Sequence, residues 1–486
     1  MNSICDATLL ELKRMLENGS TTAVEIVRTL KTAYEQDEKQ AKPLNGFIEF
    51  FEDAEAKAAQ ADKERAAGNQ VNKPLLGLPI ATKDNISIQG KLCTCCSKIL
   101  DGYVAPFNAT VIERLVQAGA IPIGRTNMDE FAMGSSTEYS TYGKTRNPVD
   151  RDLTPGGSSG GSAAVVAGKQ APFALGTETG GSVRLPAAYC GIYGLKPTYG
   201  AISRYGITAF GSSLDQVGLF SRSVSDIGLV LSAVTGADVH DGTSAAHNFS
   251  ACSEIKPFQP EELASLRIAL PVEFTETQGL DTDVSGVFES LCAWFKAQGI
   301  CVEPVSIPIL AASIPAYYVI ALSEAASNLS RFDGIRYGLR KDVGKGYDEL
   351  YIATRSCGFG KEVKRRIIIG NYVLSHHLSG DCYEQGLRVR AHMEQEIGNI
   401  LQKYDFIVCP TAPTPAFKLG ERIDDPLAMY LSDLFTTFVN LAHIPSLSIP
   451  AGLSKDGRPI GMQIAGSQFS EGKILRLAKT WEAAHV

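Results

Sequence analysis

The sequence predicts an α/β fold: helices covering a mainly parallel or mixed sheet, in one large domain. Three observations predict it. From about residue 78 onward, short apolar runs alternate with amphipathic helical stretches, the pattern of a layered sheet with helices on it. One such unit stands complete, with apolar runs at 267–271 and 301–305 flanking a helical pattern at 283–298. No repeat or low-complexity linker interrupts the 486 residues. Length alone would allow about two to four domains, yet no boundary stands out.

Taken in order, residues 8–18 have helical apolar spacing, and Gly19 is placed to end that helix. Ser20, Thr21 and Thr22 can cap the next helix, which runs to about residue 36. Residues 44–51 read as a short strand and 52–67, rich in Ala, Lys and Glu, as an exposed helix. A strand over 78–82 ends at Lys83. A helix at 109–119 and a strand at 120–124 follow. Residues 238–253 are polar and read as a surface loop, and 315–395 as mostly helical. Strands are expected at 405–409 and 446–450. The segment 459–466, reached through a Lys455-Asp456-Gly457 turn, reads as a hairpin partner. A helix over 472–484 closes the chain.

Composition narrows the function classes. Apolar residues are 44% and charged residues 20%, ordinary for a soluble globular protein. A net charge of −7 makes the chain a poor holder of nucleic-acid phosphates, so any RNA is expected on a partner. Cys93, Cys95 and Cys96 cluster, but no second CxxC lies at zinc spacing, and they read as buried small residues. The first residues, MNSICDATLLELKR, carry charges early and no apolar core of a leader. No charge-free stretch reads as long enough to cross a bilayer. Reduced cysteines and a cytoplasmic location are the expectation.

Chemistry concentrates in 154–197, which holds two glycine–serine clusters: residues 156–161, and Gly180, Gly181 and Ser182. Glycine permits positive φ and close backbone approach, and such loops leave N–H groups free to face an anion. Acyl transfer needs those donors for its tetrahedral intermediate. A single cluster reads as a surface turn; two, each with a serine beside free N–H groups, point toward a nucleophile. Residues 157–161 match G-x-S-x-G, but a nucleophile elbow needs a preceding strand, and 147–155 has loop composition. Gly143-Lys144-Thr145 lacks the earlier glycine of a phosphate loop, since Glu138 stands there. No HExxH is present. A serine still needs a base. All seven histidines lie at 240 or later, without telling context, which leaves Lys83. Taken alone, Lys83 reads as a lysine at a strand end with its ammonium in water. As a base, its pKa must fall about three units, roughly 4 kcal/mol of desolvation or cationic neighbours.

Three motifs, GLPIATKDN from Gly77, GGSSGGSAA from Gly156 and GTETGGSVRLPAAYCG from Gly176, together resemble the amidase signature family in order and spacing. PAYYVIALSEAASNLSRFDGIRYG from Pro315, FGKEVKRRIIIGNYVLS from Phe359 and DPLAMYLSDLFTTFVNLAHIPSLSIPAG from Asp425 extend the similarity to the A subunits of bacterial glutamyl-tRNA(Gln)/aspartyl-tRNA(Asn) amidotransferases within it. The resemblance covers nearly the whole chain. It implies one domain over 1–486, a signature core at about 70–215, and a central mixed sheet with helices on both faces. It implies a triad of Ser182 as nucleophile, Ser158 as proton relay after a cis peptide bond, and Lys83 as base. The N–H groups of Thr179, Gly180, Gly181 and Ser182 would form the oxyanion hole. Arg366, with Arg365 as the alternative, would bind the glutamine α-carboxylate, Asp433 the α-ammonium, and Tyr317 the region near the amide. His443, Ser446 and Ser432 depart from the family pattern, at positions that could reshape the pocket wall.

The activity implied is glutamine hydrolysis, with ammonia passing to a B subunit that amidates an ATP-activated aminoacyl-tRNA, and a C subunit bracing the pair. No metal or cofactor is expected in this chain; ATP and Mg²⁺ would be used on the B subunit, which would also hold the tRNA. Two rivals stay open: a free-standing amidase of small amides, and a catalytically silent scaffold subunit.

Overall fold

The computed structural model describes residues 3–69, 72–275, 279–375 and 381–485. Among the described residues, eleven strands form one sheet: β1 (Phe47–Phe50), β2 (Pro79–Lys83), β3 (Ile121–Thr126), β4 (Phe173–Glu178), β5 (Tyr193–Lys196), β6 (Gln216–Ser221), β7 (Arg267–Pro271), β8 (Cys301–Val305), β9 (Phe406–Pro410), β10 (Ser446–Leu453) and β11 (Pro459–Ala465). Their order is β1-β3-β2-β4-β6-β5-β10-β11-β9-β7-β8. The sheet is mixed. β3, β2 and β4 run parallel to one another at one side, and β9, β7 and β8 at the other. The strands between pair antiparallel. The expected unit at 267–305 is a parallel pair joined by the helix Thr282–Ala297.

Both faces of the sheet are covered. Alternate residues of a strand point to opposite sides. In β9, Phe406 and Val408 join the core under the helices Leu9–Glu17, Val224–Val234, Thr282–Ala297 and Glu471–His485. Ile407 and Cys409 join the core under Ser313–Leu329, Lys361–Val373 and Asp381–Leu401. Helix starts follow local chemistry. The Thr8 hydroxyl accepts from Glu11 N and the Glu11 carboxylate accepts from Thr8 N, a reciprocal cap. Thr22 caps Ala23–Glu38 through Glu25 N. β10 and β11 form the expected hairpin.

The elements not anticipated include β5, β6 and the helices Arg184–Cys190 and Val224–Val234. All residues of β5 and β6 are buried, so neither shows the alternation that marks a half-exposed strand. Residues 308–329 hold one charged residue, Glu324, in an otherwise uncharged run. This stretch is long and apolar enough to cross a membrane by length and composition, with mean hydropathy 1.5 over its most apolar window. Here Ser313–Leu329 is a core helix. Gly370 of the helix Lys361–Val373 fits against the Leu322 carbonyl, where a Cβ would come within 2.0 Å of the oxygen. Asp381–Leu401 packs against it as well, with Gly386 beside Val319 and Ile320. Its apolar composition serves this packing.

Parallel pairing of β2 with β4, in the register Thr82↔Leu175, brings the carboxyl ends of both strands to one edge of the sheet. Lys83 ends β2, and residues 179–182 follow β4. Ligands of open α/β sheets sit outside such strand ends.

Candidate active site

Lys83 is fully buried at the end of β2. Its ammonium donates to Ser158 Oγ at 2.8 Å, Ser159 Oγ at 2.7 Å and the Thr177 carbonyl at 3.2 Å. The first glycine cluster therefore meets the end of β2, with Ser159 beside Ser158. Ser159 also donates to the Thr177 carbonyl at 3.0 Å. Burial pushes Lys83 down to about 7, against the pull of the Asp129 and Asp215 charges. A neutral lysine has two N–H donors and one lone pair. The Ser159 hydrogen is already placed on Thr177, so Ser159 Oγ and the Thr177 carbonyl both act as acceptors toward Lys83. They take the two N–H groups and leave the lone pair for the Ser158 hydroxyl. The Gly157–Ser158 peptide is cis.

No strand precedes Ser158 and Ser159: residues 147–155 form no helix or strand, and the helix Gly160–Ala167 begins directly after them. That is not the strand–turn–helix of an elbow. Gly157 allows the close approach here, since a Cβ would come within 2.2 Å of Asp129 Oδ2. Asp129 Oδ1 accepts the N–H groups of Glu138 and Tyr139, Asp129 Oδ2 that of Thr137 at 2.8 Å, and its own N–H donates to the Ser158 carbonyl.

Residues 179–182 make the turn after β4. The Gly180 carbonyl accepts from Thr436 Oγ1 at 2.6 Å, Gly181 O from Leu185 N at 2.9 Å and Ser182 O from Ser159 N at 3.2 Å. With those carbonyls turned into the protein, no hydrogen bond among the described residues takes the N–H of Thr179, Gly180, Gly181 or Ser182 as its donor. The next two N–H groups, of Val183 and Arg184, are held by the Glu178 carboxylate at 3.0 and 3.1 Å. Glu178 in turn forms a fully buried pair with Arg184, which also reaches Gln463 Oε1 at 2.6 Å and Asn440 Oδ1 at 2.6 Å. Ser182 is 8% exposed, whereas Lys83 and Ser158 are sealed. The hydrogen bonds of Lys83 go to Ser158, Ser159 and the Thr177 carbonyl, not to Ser182, which is tied to the inner pair through its carbonyl on Ser159 N.

Two of the expected substrate residues, Tyr317 and Asp433, border this turn. A Cβ on Gly180 would come within 2.4 Å of the Tyr317 ring, and one on Gly181 within 3.0 Å of Asp433 Oδ1. Asp433 accepts from Ser135 Oγ at 2.8 Å. Burial pushes Asp433 up to about 7, against that hydrogen bond and the Arg366 charge. Arg366 is buried among the rings of Phe210, Tyr318 and Tyr430, with Nε on Glu362 at 2.8 Å. Arg365 lies toward solvent, its side chain 27% exposed. Between the two arginines, Arg366 is the one enclosed by aromatic rings. Ser135, Glu362 and Tyr430 had no signal of their own in the sequence, whereas Ser159 stood in the first glycine cluster as the serine of its G-x-S-x-G match. The three departures are engaged elsewhere. Ser432 accepts from Arg422, Ser446 donates to Gln463, and His443 bridges Glu394 and the Ser213 carbonyl. His443 has φ 56°, the backbone region that favours glycine. Cys93, Cys95 and Cys96 are buried.

The amidase family model matches residues 28–475. The chain belongs to the amidase family. Among amidase relatives, it is 65% identical over 480 residues to the A subunit of glutamyl-tRNA(Gln) amidotransferase from Treponema denticola, covering 99% of each chain. It is 47% identical over 457 residues to the protein of that name from Staphylococcus aureus, covering 94% of this chain and 93% of that one. Two solved amidase structures superpose along nearly the whole chain. One is the A subunit of glutamyl-tRNA(Gln) amidotransferase from Thermotoga maritima, with TM-score 0.79, 36% identity and coverage of 99% and 95%. The other is the peptide amidase of Stenotrophomonas maltophilia, with TM-score 0.82, 28% identity and coverage of 98% and 96%.

Proposed function

We propose that this amidase is the glutamine-hydrolysing A subunit of a tRNA-dependent amidotransferase. One observation carries the chemistry: a turn with its N–H groups unpaired stands beside a serine–serine–lysine cluster sealed from water. Ser182 attacks the side-chain amide of glutamine. Its proton passes through Ser158 to neutral Lys83, and returns by the same path to the leaving ammonia. The N–H groups of residues 179–182 stabilise the tetrahedral oxyanion, a contribution of about 3–4 kcal/mol per donor in comparable sites. Water then cleaves the glutamyl-enzyme to glutamate. Arg366 takes the α-carboxylate, Asp433 the α-ammonium, and Tyr317 packs near the amide. Ammonia moves to a B subunit that uses ATP and Mg²⁺ on its bound glutamyl- or aspartyl-tRNA, with a C subunit bracing the pair in the cytoplasm.

The test is to express the chain with and without B and C subunits and measure glutamate released from glutamine. Strong stimulation by the partners, with loss in Ser182→Ala, supports the proposal. Full activity alone favours a free-standing amidase. Intact glutamine-dependent amidation in Ser182→Ala means a silent scaffold. Lys83→Ala should also fail to form a covalent adduct with a glutamine-like acylating agent; a normal adduct by intact mass would remove the lysine from the mechanism.

A further inference from the structure

The carbonyls of Gly180, Gly181 and Ser182 are each tied to a neighbouring element, and Thr179 is held instead through its side chain. Thr179 Oγ1 donates to Asp215 Oδ1 at 2.6 Å. Asp215 is 5% exposed and gathers a second loop: Gly211 N donates to Oδ1 at 3.1 Å and Phe210 N to Oδ2 at 2.8 Å. The loop lies close enough that a Cβ on Gly211 would touch the Thr179 methyl at 3.2 Å. Phe210 in turn lies against Arg366, 5.8 Å from ring centroid to guanidinium carbon. One carboxylate thus joins the first residue of the oxyanion turn to the loop that backs the buried arginine.

We propose that Asp215 is a positioning residue, which through Thr179 aims the oxyanion turn and couples it to the Phe210 wall of the arginine pocket. A turn whose N–H groups are unpaired has no ladder of its own to orient them, so its aim depends on side ties. A hydroxyl bonded to a carboxylate is stronger than a neutral pair, and a carboxylate can take Thr179 and the loop at once. Thr179→Val keeps the methyl packing and removes only the tie. Asp215→Asn keeps an acceptor for Thr179 and Gly211 but turns an amide N–H toward the Phe210 N–H. The two substitutions therefore loosen opposite ends of the link.

The inference rests on the amide hydrolysis of the proposed function, not on its partners. It is tested by steady-state kinetics of the full chain with B and C subunits, on glutamine and on a small amide lacking the α-carboxylate. Thr179→Val should lower kcat about 10- to 100-fold on both substrates, the range for a displaced catalytic group or lost donor, with KM changed less than about threefold. Thr179→Ser should restore kcat. Asp215→Asn should raise KM for glutamine with little change in KM for the small amide. Wild-type kcat in Thr179→Val, failure of Thr179→Ser to restore it at equal thermal midpoint, or equal KM changes on both substrates would overturn the coupling. Wild type acting on the small amide but not on glutamine refutes the proposed function and leaves the Thr179 comparison readable; no turnover of either substrate by wild type overturns both.

Discussion

Lowering the pH from 8 to 6 should slow glutamine hydrolysis in two separable ways. Lys83 must be neutral to accept a proton, and it titrates at about 7 because burial disfavours its charge. Its neutral fraction is then about 0.9 at the upper pH and about 0.09 at the lower, a tenfold loss in the acylation step. Asp433 must be ionised to bind the substrate ammonium, and burial holds it at about 7 as well. Free enzyme therefore loses another factor of about ten in binding, whereas bound ammonium keeps Asp433 ionised. The expected result is a fall of about tenfold in kcat and about a hundredfold in kcat/KM, because kcat/KM reports the free enzyme and kcat the complex. The assay is glutamate release by the assembled complex, with far-UV circular dichroism to confirm an intact fold at both values. An ordinary lysine near 10.4 would give a rate still climbing about tenfold per unit from pH 8 to 9. A kcat flat from 8 down to 6, or still climbing above 8, would refute the assignment of Lys83 as a base set by burial.

Other outcomes follow from the same geometry. Glu178→Gln strips a carboxylate from a fully buried pair and leaves Arg184 uncompensated, so stability should fall by about 3–5 kcal/mol in denaturant unfolding. Gly180→Ala drives a methyl to within 2.4 Å of the Tyr317 ring; overpacking of this kind costs about 1–3 kcal/mol, and a lower thermal midpoint with reduced kcat would show it. Lys196 is also fully buried, pushed down to about 7 by desolvation, with Nζ on the Pro197 carbonyl at 2.7 Å. Its pKa is depressed on folding, so between pH 7 and about 10.5 the unfolded chain binds more protons and stability rises with pH, by at most about 1.4 kcal/mol per unit. Lys196→Met should remove that share of the slope; an unchanged slope would mean that Lys196 stays charged in the fold.

Much of the architecture was legible because it is local. Thr8 and Thr22 are caps by their own chemistry. Residues 267–305 show a strand–helix–strand unit in their periodicity alone. The two glycine clusters announce backbone that must turn sharply or approach closely, and Gly157, Gly180 and Gly181 prove to be places where a Cβ would collide. β5 and β6 escaped notice because burial erases alternation, and Gly194, Lys196, Gln216, Gly218 and Ser221 break the apolar run that marked the equally buried β2 and β9. The stretch 308–329 has the hydropathy of a membrane span although it is a core helix, because hydropathy cannot tell a membrane from a protein core.

What the sequence determined by itself was the menu of elements and the residue types available for acyl transfer. Which of them meet was decided by the sheet. The parallel register of β2 with β4 carries Lys83 to Ser158 and Ser159, which lie 75 and 76 positions away in the chain. Packing buries Arg366 and leaves Arg365 toward solvent, since adjacent residues of a helix face different directions and only one is enclosed by aromatic rings. Burial, a property of the whole fold, turned an ordinary lysine into one that titrates near neutrality, because removing water from an ammonium costs more than the distant carboxylates return.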